Sequence, residues 1–89
     1  MEFRTTNLPL AAAITASTKL KLIRVDADSI KQASMVFHDP SGIGAQLELE
    51  FLSGQFMVSA SQYAVQLRAM RRQVEIKLAA ARTKEAARV

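Results

Sequence analysis

Between Ser59 and Ala87 the chain contains no proline and no glycine; Pro9, Pro40, Gly42, Gly44 and Gly54 all lie earlier. Tyr63, Leu67, Met70, Val74, Leu78 and Ala81 recur there at steps of three and four, the spacing of one buried helix stripe. A helix over this span is about 45 Å long at ~1.5 Å per residue. A domain of this chain length is only about 25 Å across. The Ala-rich end of the helix must therefore fray, bend back or lie on another subunit. Turning 100° per residue, Val65, Ala69, Ile76 and Ala80 form a second apolar stripe, nearly opposite the first. Small residues beside Val65 and Ile76 permit close approach of another helix.

The rest of the chain must supply the core for that helix. Thr5, Thr6 and Asn7 are cap candidates before Pro9, which predicts a helix over 7–17. Lys21-Leu22-Ile23-Arg24-Val25 reads as a short strand, with Ile23 and Val25 on one face and Leu22 and Arg24 on the other. Asp26-Ala27-Asp28-Ser29 is the expected turn. Ala33, Met35 and Phe37 then alternate with Ser34, Val36 and His38, the clearest period-two pattern in the chain. Asp39 as cap and Pro40 as first helical residue predict a second helix, carrying Ile43, Leu47 and Phe51 on its inner face and ending at Ser53-Gly54. Residues 55–58 are extended and are a candidate third strand. The expected class is α+β: a two- or three-stranded antiparallel sheet with three helices, in the order α-β-β-α-(β)-α. Residues 1–78 form the single domain, and 79–89 an Ala/Arg-rich helical extension or tail.

With 89 residues, such a core is small, and small domains often gain stability by oligomerising. The absence of cysteine excludes disulfides, thiolate metal sites and cysteine nucleophiles, and fits a reducing, cytoplasmic compartment. Leu8–Ile14 is too short, and interrupted by Pro9, to be expected as a secretory leader; no apolar run is long enough to span a bilayer. Residues 1–58 hold five Lys/Arg against six acids, whereas residues 59–89 hold seven against two. Any electrostatic partner is expected at the last helix.

The segments Thr5-Thr6-Asn7-Leu8 with Leu10-Ala11-Ala12, Lys21-Leu22-Ile23, Phe37-His38-Asp39-Pro40, Gly54 with Val58, and Tyr63, Leu67-Arg68 and Met70-Arg71 together resemble a small family of uncharacterised bacterial domains, a domain of unknown function. The resemblance covers about residues 5–76. It implies a helix, hairpin, helix, helix order and transfers no catalytic residue. The tail beyond Lys77 is longer than the resemblance requires.

Candidate chemistry is sparse. His38 is the single histidine, too few ligands for a zinc site and without convergent partners for catalysis. Ser41-Gly42-Ile43-Gly44 opens a helix whose amides could hold an anion, but it lacks the remaining glycine and the Lys-Ser/Thr pair of nucleotide loops. Asp26 and Asp28 lack the other ligands of a calcium loop and read as turn residues. No metal, cofactor, small-molecule substrate or enzymatic activity is expected.

Two surfaces remain. Counted from Tyr63 around the helix, Arg68, Arg71, Arg72 and Arg82 lie between about 80° and 180°, in one stripe interrupted by Glu75. The plain reading is a solvated face with Arg71 and Glu75 paired; the functional one is phosphate contact with nucleic acid. Val65, Ala69, Ile76 and Ala80 need cover, either from the first helix or from another subunit. The expected function is a non-enzymatic interaction module, a homo-oligomer with a dimer favoured. The alternative is a nucleic-acid-binding accessory protein.

Overall fold

The computed structural model describes residues 1–87. The elements are β1 (Glu2–Thr5), α1 (Leu8–Ser17), β2 (Lys21–Ala27), β3 (Ala33–His38), α2 (Gly44–Leu52) and α3 (Ala60–Ala86). The class is α+β, with three helices and a three-stranded antiparallel sheet in the order β1-β3-β2. The third strand is not residues 55–58. It is β1, which pairs with β3 from Glu2↔His38 to Thr5↔Met35. Residues 55–58 use their aromatic side chain for packing instead: Phe56 meets Phe51 edge to face, with ring centroids 6.4 Å apart.

α1 begins as its sequence predicts. The Asn7 side chain accepts the Leu10 N–H at 3.1 Å, and Pro9 sits in the first turn. Thr18, at φ 59°, ends it in the left-handed conformation. Leu10, Ala11, Ala12, Ala13 and Ile14 are all at most 1% exposed, so α1 is enclosed on every side over this stretch. It is the central element, and its three alanines allow neighbours to close in around it. α3 is peripheral by comparison. Among the described residues, only Met70 of α3 is buried, with Val74 and Leu78 partly buried against the core.

The register expected for β3 is the one observed. Ala33, Met35 and Phe37 are buried in the core with Leu47, and His38 is exposed. In β2 the expectation fails at Leu22 and Ile23, which exchange faces. Leu22 pairs with Phe37 and Arg24 with Val36, leaving Ile23 as an extra residue in a β-bulge. The bulge reverses the alternation, so Leu22 and Val25 pack on the core while Ile23 is 45% exposed. The strand continues through Asp26 and Ala27, and the turn comes later, closed by the Asp28 N–H on the Gln32 carbonyl at 2.9 Å.

α2 starts at Gly44, not at Pro40. Asp39 still caps it, from further away: its buried carboxylate accepts the Ile43 and Gly44 N–H groups at 2.8 and 2.9 Å. Its own N–H donates to the Met1 carbonyl at 3.0 Å, which ties the start of β1 to the cap of α2. Gly42, at φ +68°, supplies the left-handed turn between them.

Candidate interaction surface

α3 is capped at Ser59, whose hydroxyl accepts the Gln62 N–H at 3.4 Å. From there it runs along α1 and β2 and sets the 47 Å long axis of the molecule. Its inner stripe meets the core through Met70, Val74 and Leu78. Among the described residues, its outer stripe is left exposed. Val65 is 57% exposed and Ile76 58%, and Ala69 and Ala80 are exposed as well. α1 cannot cover this stripe, because it is already spent on the opposite face of α3.

The two residue sets separated in the sequence turn out to share a surface. Val65, Ala69 and Ile76 line an open groove of about 500 Å3 with Arg68, Arg72 and Gln73. Arg71 and Arg82 are exposed but do not line it. Gln73 and Ile76 also line a second groove, about 260 Å3, with Arg24, Val25 and Lys77. Ala80 lines a third, about 310 Å3, with Lys77, Ala81, Lys84 and residues 25–27 of β2. The apolar stripe therefore continues down to the free edge of β2. Further along, Ala81, Lys84 and Glu85 stand beside Ala27, Asp28, Ser29 and Ile30. The expected extension over 79–89 is thus helical through Ala86, and its last two residues lie outside the described ones.

On the far side of the sheet lies a feature the sequence reading missed. Arg4 reaches Asp26 at 3.0 Å and Asp28 at 3.2 Å; Arg24 reaches Glu2 at 3.2 Å and Asp26 at 3.0 Å. Ser34 donates its hydroxyl to Asp28. Val36 is paired with Arg4 on one side and Arg24 on the other, and it is 0% exposed. The hydrogen bonds that Arg24 donates to Glu2 and then to Asp26 raise the pKa of its guanidinium. Desolvation pushes the Asp26 carboxyl up, but hydrogen bonds and charge from Arg24 and then Arg4 outweigh it and hold the group below the usual range. Such exposed pairs are individually weak, yet together they make this face polar and leave the α3 side as the apolar one. The signal was present as charge at every second residue: Glu2 and Arg4, then Arg24, Asp26 and Asp28.

Among the described residues, these ion pairs all lie on the sheet; Arg68, Arg71, Arg72 and Arg82 have no carboxylate within ion-pair distance, and Arg71 does not pair with Glu75. His38 is exposed between Glu2 and Lys21 on the neighbouring strands. No group of three or more metal-ligating side chains comes together among the described residues. The amides of Ile43 and Gly44, the candidate anion site, are occupied by Asp39. No described helix is long and apolar enough to cross a membrane. No protein-family model, curated protein or solved structure matches the chain.

Proposed function

We propose that this chain is a non-enzymatic interaction module that self-associates, as a dimer, through the outer stripe of α3. The observation that carries this reading is the exposure of Val65 and Ile76, with Ala69 and Ala80 beside them, on a helix whose other face already packs on the core. A lone exposed aliphatic residue needs no explanation, but a row of them along one groove does. Fully burying an exposed aliphatic side chain is worth about 1.5–3 kcal/mol; Val65 and Ile76, at 57% and 58% exposed, have a little over half of that to gain, and a second copy supplies it twice by symmetry. Light scattering of the native chain should give twice the chain mass. Val65→Glu/Ile76→Glu should give a folded monomer, since both side chains lie outside the core. A native monomer at high concentration, or a dimer indifferent to both charges, removes the reading.

The four unpaired arginines support a second reading, nucleic-acid binding through the same helix. Binding of that kind falls steeply with salt and is indifferent to base sequence. Affinity for duplex DNA should then be measurable at about 50 mM salt and fall by orders of magnitude by about 200 mM. It should be lost in Arg68→Ala/Arg72→Ala. Absence of binding to DNA and RNA at the low-salt end excludes this reading and leaves self-association untouched.

A further inference from the structure

We infer that the second copy docks on the free edge of β2, with the two-fold axis at Val25, so that the two sheets join into one of six strands. This rests on self-association and specifies its geometry.

β2 is an edge strand of seven residues without a proline. Such an edge presents unpaired backbone groups to any incoming strand. The Asp28 N–H bonds inward to Gln32, so ladder alternation turns the N–H and C=O of Val25 and Ala27 outward, to the free edge. The bulge at Ile23 confines regular pairing to the segment that follows it, residues 24–27.

Within that short segment, charge selects the register. A two-fold axis perpendicular to the sheet, which keeps both sets of helices on one side, must pass through a residue paired with its own copy. At Arg24 it sets two guanidinium groups face to face. At Asp26 it does the same with two carboxylates. At Val25 it sets Arg24 of each copy opposite Asp26 of the other, twice. Directly opposed like charges destabilise a sheet, and opposite charges stabilise it. The Val25 register also makes Val25 a hydrogen-bonded pair with its copy. The Arg24 and Asp26 pairs then fall at the adjacent, closer-spaced positions.

Both faces of the joined sheet accept this arrangement. On the outer face, Arg24 and Asp26 already belong to the ion network that runs from Glu2 to Asp28, and the new pairs carry it across the axis. On the helix face, the grooves between β2 and α3 share Val25 and Lys77. They lie open beside the axis, with Ile76 and Ala80 on their walls, and the second copy's α3 fills them. Lys77 flanks the axis, and its long stem carries the ammonium out to water.

The experiment uses two single charge reversals, Arg24→Asp and Asp26→Arg, whose folding is verified by circular dichroism. Alone, each places like charges opposite each other twice, and its dimer should dissociate about tenfold more readily than the native one at low salt. Mixed in equal amounts, the two variants form a heterodimer in which every opposed pair is again opposite in sign, so dimer mass should return. A mixture that stays monomeric, or single variants that dimerise as well as the native chain, overturns the inference. Should either variant fail to fold, hydrogen exchange on the native chain decides. The Val25 and Ala27 amides should be protected at concentrations that favour the dimer and exchange freely on dilution. If they exchange freely at every concentration while Val65→Glu/Ile76→Glu still abolishes a dimer, β2 is not the interface and the α3 reading survives. A native monomer removes both.

Discussion

Phe37→Ala is expected to destabilise the domain by about 3–5 kcal/mol, the range for a fully buried phenylalanine. Phe37 is 0% exposed, on the central strand, opposite Phe3 of β1 on one side and Leu22 of β2 on the other. Its truncation opens a cavity where both strand pairings and α1 converge, and close-packed neighbours relax into such a space only partly. Domains of this size have total stabilities of about 4–13 kcal/mol, so the variant should be partly or wholly unfolded at 25 °C. Urea titration followed by circular dichroism measures the effect. His38→Ala, one residue along on the exposed side of the strand, should change stability by less than about 0.5 kcal/mol. Equal effects at the two positions overturn the register of β3.

The second large effect is expected at Gly44, where α2 meets β1. A Cβ added to Gly44 would lie 2.8 Å from the Cβ of Phe3 and overlap its ring. Movement of the ring alone does not relieve a contact so near the Phe3 backbone. Alanine gains about 1 kcal/mol over glycine in helix propensity, and yet Gly44→Ala should be destabilising by about 1–3 kcal/mol, because overpacking dominates. The strain falls on β1, a four-residue edge strand, so its amides should lose hydrogen-exchange protection before those of β2. In a Phe3→Ala background the overlap with the ring disappears, and the same substitution should cost less. Such coupling is what a double-mutant cycle detects between residues in contact. Additive effects exclude the contact as the cause.

β1 also shows why one strand escaped the sequence. Glu-Phe-Arg-Thr alternates over only four residues, and it is a strand only because β3 offers it an edge and Asp39 holds Met1. Residues 55–58 have as good a local claim to be extended, but they pair with none of the described strands. Strand pairing belongs to two segments at once, so composition within one of them does not decide it. The bulge at Ile23 is of the same kind. Lys21–Val25 alternates plausibly in either phase, and the phase is chosen only when Leu22 must meet Phe37 and Val25 must meet Met35.

What the sequence determined by itself were the features whose causes are local. The uninterrupted run after Ser59 made α3 a helix, Asn7 and Pro9 started α1, and the alternation from Ala33 to Phe37 set which face of β3 is buried. The second stripe on α3 was legible for the same reason, since a helix fixes the angular position of every residue along it. Whether that stripe was covered was not legible. Any hydrophobic neighbour could have covered it, and the candidates were α1 and another subunit. Only the tertiary structure decided that α1 is enclosed at the centre, with Leu10 to Ile14 buried on all sides, and that α3 lies outside it with Val65 and Ile76 exposed. Only the tertiary structure brought Ile76 beside the free edge of β2, and Arg24 and Asp26 into one network with Glu2 and Arg4. Burial and proximity are sums over contacts between segments far apart in the chain, and no periodicity within a single segment encodes them.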